Sequence, residues 1–116
     1  MNIQPFFVTI VGAKYYDKSE YITVGEIVVL IKDYNNPYDD EAVEVYMPNV
    51  GKIGYIANST RTVARGTRSA GRIYDTFGEY CLAKIMFVLQ GSAIAEIVDL
   101  FPANNNSIVK ITSVNE

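Results

Sequence analysis

The sequence predicts a mainly β fold: a small antiparallel β-barrel with two short helices. Three observations lead there. Five or six short apolar segments follow one another, rich in β-branched and aromatic residues. Turn-forming clusters of Gly, Pro, Asn, Asp and Ser separate them. With 116 residues, 49% of them hydrophobic, the chain can bury one core but not two.

The elements follow in order. "PFFVTIVGA" (5–13) is a strand ending at Gly12. "KYYDKSEYITVGE" (14–26) is polar and aromatic, with a turn near Asp17–Ser19. "EIVVLIKD" (26–33) is an almost unbroken apolar run, too short for a helix, and predicts a buried strand. "YNNPYDDE" (34–41) is a turn cluster in which Pro37 fixes its own φ and turns Asn36 away from the helical region. "AVEVYM" (42–47) alternates, with Val43, Val45 and Met47 on one face. "PNVG" (48–51) is a hairpin turn and "KIGYIA" (52–57) the returning strand, where Gly54 marks a bulge or a close backbone approach. "NSTRTVARG" (58–66) predicts a short helix capped by Asn58 or Ser59 and closed by Gly66. Residues 67–71 are expected to be mobile, and 72–78 to form a second helical turn. "EYCLAKIMFVLQ" (79–90) and "AIAEIVDLF" (93–101) are strands joined at Gly91–Ser92. The asparagine-rich tail, 101–116, predicts a loop and then a last strand at 108–112. All 116 residues are expected to form one domain, with its core in about 6–100.

Composition excludes several functions. There is no histidine, and Cys81 is the sole cysteine. That removes an internal disulfide, a cysteine-rich zinc site and a Cys–His nucleophile. Cys81 sits in an apolar strand and is expected to be a small core residue. The N-terminus lacks the basic start and cleavage site of a signal peptide. No apolar run reaches the ~18 residues of a membrane helix. A cytoplasmic, reducing location with no membrane partner is therefore expected. Net charge is −3, unevenly spread. Residues 1–51 hold eight acids against three lysines, and 75–116 five against two. Between them, Lys52, Arg61, Arg65, Arg68 and Arg72 face no acid and include every arginine of the chain. A basic stripe on an acidic domain still attracts phosphate, since salt screens charges beyond about 8–10 Å.

Four segments carry a resemblance: "VGAKYY" (11–16), "VGE" (24–26), "LIKDYNNPYDDEAVEVY" (30–46) and "KIGYIA" (52–57). Together they resemble the HIRAN domain family over roughly residues 6–100. The resemblance implies a modified OB-like barrel that holds the 3′ end of single-stranded DNA. It implies that Tyr15, Tyr16 and Tyr38 stack on bases and that Asp39 meets the 3′-hydroxyl. Lys14 matches a basic position, and Asn35 and Asn36 match loop amides. One departure stands out: a fork-remodelling relative has Gly-His and then lysines on the return strand, whereas here Gly54-Tyr55 precede Ile56, Ala57 and Asn58. Tyr55 is thus the DNA-contact candidate at that edge. No G-x-x-x-x-G-K-[ST] motif occurs, so a separate module is expected. Its partners would be single-stranded DNA ends, repair proteins or a separate motor, with self-association as a further option.

The chemistry has a bland counterpart at each position. Stacking on tyrosine is worth about 1–3 kcal/mol per base, but adjacent tyrosines often split, one inward and one outward. Asp39 either accepts a hydrogen bond from the 3′-hydroxyl and repels a 3′-phosphate, or caps its own turn. Asp40 and Glu41 are expected to be solvated. Three consecutive acids point in different directions, which disfavours a metal nuclease. Arg61, Arg65, Arg68 and Arg72, spaced by four, three and four, would share a face on a continuous helix, although Gly66 and Gly71 interrupt it. They are expected to contact phosphates, with a salt slope of about −0.7 per phosphate. No catalytic residue, metal or cofactor is expected. The rival function is a protein-interaction module built on the same tyrosines.

Overall fold

Alternation sets the strands. In β3 (Val43–Met47), Val43, Val45 and Met47 are buried while Glu44 and Tyr46 are half-buried on the other face, as the two-residue period requires. The other strands are β1 (Phe7–Val11), β2 (Ile27–Lys32), β4 (Gly51–Ile56), β5 (Tyr80–Leu89) and β6 (Ser92–Leu100). The computed structural model describes residues 5–100; the strand expected at 108–112 lies outside them. All neighbouring strands are antiparallel, and the order β1-β4-β3-β2-β5-β6 closes back onto β1. The small antiparallel barrel expected from the sequence is what forms. Closure removes edge strands.

Large and small side chains share the interior. Ile10, Leu30, Ile53 and Ile85 are fully buried beside Ala83, Ala93 and Ala95, the mixture that fills a narrow barrel. Cys81 lies in the same core, and burial pushes its thiol up to about 12.

Gly54 satisfies both expectations made for it. Val45 pairs with Gly54 and Tyr46 with Lys52, so Ile53 is the extra residue of a bulge. A Cβ on Gly54 would also overlap the backbone oxygen of Val11. The missing side chain lets β1 and β4 close, and Tyr55 then pairs with Val11.

The helix expected at 58–66 does not form. Ser59 starts a single turn, its oxygen accepting from Thr62 N and Val63 N at 3.0 Å each. The next amide in the helical ladder, Ala64 N, is taken by the Thr9 hydroxyl at 3.1 Å. Thr67 donates to the Ala64 carbonyl at 2.7 Å, which leaves Thr9 to donate to Thr67, also at 2.7 Å. A buried threonine of β1 thus diverts the helix into successive turns. The same strand anchors 67–71, expected to be mobile: Arg68 N donates to Phe7 O at 2.7 Å. The helical piece expected at 72–78 begins earlier, as α1 (Ala70–Ile73), where the Ser69 hydroxyl accepts from Arg72 N. A 3₁₀ turn follows at Tyr74–Thr76, and two more lie at Ala13–Tyr16 and Ser19–Tyr21. Ala70, Ile73 and Phe77 join the barrel core.

Candidate nucleic-acid interface

The loop between β2 and β3 is built from side chains that fold back on their own backbone. Asp33 Oδ1 accepts from Asn35 N at 3.3 Å. Asn36 Oδ1 accepts from Tyr38 N at 2.9 Å and Asp39 N at 3.0 Å. Asp39 Oδ1 accepts from Glu41 N at 2.9 Å. These are three successive Asx turns, one every third residue. They fix the backbone under Tyr38 while its ring, 94% exposed, packs on nothing. The capping reading of Asp39 is therefore correct as far as it goes. Asp40 and Glu41 are exposed, as expected.

A cleft of about 760 Å³ opens beside this loop. Asp33, Asn35, Asn36, Pro37, Tyr38 and Asp39 form one wall. Val11, Tyr55 and the segment from Ile56 to Ser59 form the other. Asn58 fastens the two. Its Nδ2 donates to Asp39 Oδ2 at 2.9 Å, and its Oδ1 accepts from Gly71 N at 2.7 Å.

Tyr15 and Tyr16 split. Tyr15 is 81% exposed, with the Lys14 ammonium 5.5 Å from its ring centre. Tyr16 is half-buried and tilts against Tyr55, ring centres 6.5 Å apart. Lys52 lies between Glu44 Oε2 at 2.9 Å and the Tyr55 hydroxyl at 2.6 Å. Its burial acts to lower its pKa, but hydrogen bonds with Tyr55, Glu44 and Tyr16 outweigh this and hold it above the ordinary lysine value. Burial raises the Tyr55 hydroxyl; Lys52 works against that and the bond to Asp33 adds to it. The neutral phenol accepts from Lys52 and donates to Asp33 Oδ2 at 3.1 Å. The charge of Lys52 is thus spent inside the protein, and Tyr55 is a strut that offers its ring to the cleft.

The four arginines do not share a face. Arg68 turns back onto Phe6, its guanidinium carbon 4.2 Å from the ring centre. Arg61 is exposed and lines neither the cleft nor its neighbour. Arg65 and Arg72 come together around a second groove of about 420 Å³.

Sequence reasoning passed over Asp33, the hub of the Asx turns, and Tyr34, 67% exposed in the same loop. It treated Asn58 as a helix cap. The Asp-x-x-Asn-x-x-Asp spacing from Asp33 to Asp39 was the available signal.

The closed barrel presents exposed tyrosines beside an amide-lined cleft. The model described as the HIRAN domain matches residues 3–78, and the chain belongs to the HIRAN domain family. A crystal structure of a protein from Lactobacillus plantarum shares the fold, with a TM-score of 0.55 and 21% sequence identity over 81% of this chain and 93% of that one. No curated protein matches. Family membership points to nucleic-acid binding. Among the described residues, no helix is long and apolar enough to cross a membrane.

Proposed function

We propose that the cleft binds single-stranded DNA and prefers a free 3′-hydroxyl end. One observation carries the reading: Tyr38 holds a 94% exposed ring at the wall of the cleft, on a backbone that three Asx turns fix. A terminal base has one face that no neighbour covers, and an accessible tyrosine on a fixed backbone suits it. Tyr15 and Tyr55 offer further aromatic surface, with Tyr16 supporting Tyr55. Asn35 and Asn36 supply polar edges to the cleft. Lys14 and the arginine segment supply positive charge for the backbone.

Asp39 serves in both of its readings. Each of its carboxylate oxygens already accepts one hydrogen bond, from Glu41 N and from Asn58. A carboxylate has about four acceptor sites, so a 3′-hydroxyl can donate to it without breaking the turn. A 3′-phosphate meets like charge there instead. The test is binding of one strand with either terminus, in wild type and Asp39→Asn. The substitution is expected to erase the difference between the termini. A preference for the hydroxyl that persists in Asp39→Asn would remove Asp39 from this role.

The exposed rings of Tyr15, Tyr34 and Tyr38 also fit a protein contact. That reading predicts capture of a protein, or self-association, with little dependence on salt. Strand binding predicts a steep one.

A further inference from the structure

We infer that the groove lined by Arg65 and Arg72 is a phosphate subsite adjoining the cleft, and that it holds the backbone of the strand whose 3′-terminal nucleotide the cleft takes. The inference rests on the cleft reading above. Asn58 and Ser59 line both the cleft and the groove, so the two adjoin and a chain leaving the first meets the second at these residues.

The chemistry of the groove is that of an anion site. Arg65 and Arg72 are exposed, and among the described residues neither is within ion-pair distance of a carboxylate. Both guanidinium groups are therefore free to bind phosphate, as Lys52, held by Glu44, is not. The groove also has Ser59 and Thr60 hydroxyls and no acidic residue in its lining. Gly66 leaves its wall open, since a Cβ there would meet nothing within 4 Å.

The segment that carries the arginines is not one continuous helix. On a helix, four arginines would have formed one surface row. Thr9 takes the Ala64 amide, Arg68 N bonds Phe7 O and its guanidinium lies over Phe6, and Arg65 and Arg72 both line the groove.

The test is fluorescence anisotropy with a labelled strand of about ten nucleotides, a length that engages several phosphates. Wild type, Arg65→Gln, Arg72→Gln, the double variant and Lys84→Gln are compared across a salt series. Lys84 is exposed in the middle of β5, outside both clefts. Circular dichroism melts confirm that each variant folds. The double variant is expected to bind at least about fivefold more weakly at low salt, with a salt slope shallower by about 1.4, two phosphates at about 0.7 each. Its preference for a 3′-hydroxyl over a 3′-phosphate stays, because that is made in the cleft. If the double variant loses no more affinity or slope than Lys84→Gln while the terminal preference remains, the groove is overturned and the cleft reading survives. If wild type binds no strand at all, both fall.

Discussion

The side chain of Asn58 donates to Asp39 at 2.9 Å and accepts from Gly71 N at 2.7 Å. One residue thereby ties the end of β4 to the β2–β3 loop and to the first turn of α1. Gly71 permits the approach, since a Cβ there would sit 2.6 Å from Glu41 Oε1 and 3.2 Å from Asn58 Oδ1. Asn58→Ala leaves the Gly71 amide and an Asp39 oxygen without these partners. It is expected to cost about 1–3 kcal/mol, read from urea unfolding, and to weaken strand binding as the cleft wall loosens. An unchanged unfolding midpoint would mean that water replaces the clasp.

Tyr38 and Tyr16 separate function from stability. Tyr38→Ala removes a ring that packs on nothing, so stability should stay within about 0.5 kcal/mol of wild type. Strand affinity should fall by about 5- to 150-fold, the range that corresponds to about 1–3 kcal/mol of stacking. Tyr16→Ala removes a half-buried ring from beside Tyr55 and Lys52, and a lower melting temperature should accompany any loss of binding. Equal effects on melting from both substitutions would contradict this division.

Gly54→Ala tests barrel closure. The new methyl group meets the Val11 carbonyl, a backbone atom that cannot swing aside. A loss of about 1–3 kcal/mol is expected, as for other overpacked sites, and thermal denaturation measures it. A neutral result would show that β1 and β4 part easily at Val11.

Cys81 sets a pH dependence. Its folded-state thiol is pushed up to about 12 by burial, whereas an unfolded cysteine titrates near about 8.5. The folded pKa is the higher one. The resulting stabilisation is therefore complete below about pH 8.5 and is lost as pH rises toward the folded value. Cys81→Ala should flatten the decline in stability between about pH 8.5 and 10. A thiol reagent at neutral pH should label the native protein only as fast as it opens; rapid labelling would place the thiol near the surface.

The barrel was legible because its signals are local. The alternation in Val43–Met47, the β5–β6 turn (expected at Gly91–Ser92, found one residue earlier at 90–91) and the glycine inside β4 each reflect backbone geometry over a few residues. The site was partly legible for the same reason: the turn cluster around Pro37 marked the loop that carries Tyr38 and Asp39. The 58–66 segment was misread because its decisive partner is remote. Helix signals there are sound in isolation, but Thr9, 55 residues earlier, takes the amide that the helix needs. The bonds of Asp33 to Tyr55 and of Asn58 to Asp39 were hidden likewise, since they form only once the barrel has closed, whereas the turn role of Asp33 is local and its spacing was readable.

The most direct test of strand-end capture is fluorescence anisotropy at low salt with a labelled strand of about ten nucleotides, long enough for several phosphate contacts. A free 3′-hydroxyl, a 3′-phosphate and a blunt duplex end are compared. The account predicts tightest binding to the hydroxyl end, and a weakening with salt. Equal binding to all three would contradict end recognition, and no binding to any of them would leave the tyrosines as a surface for protein contact.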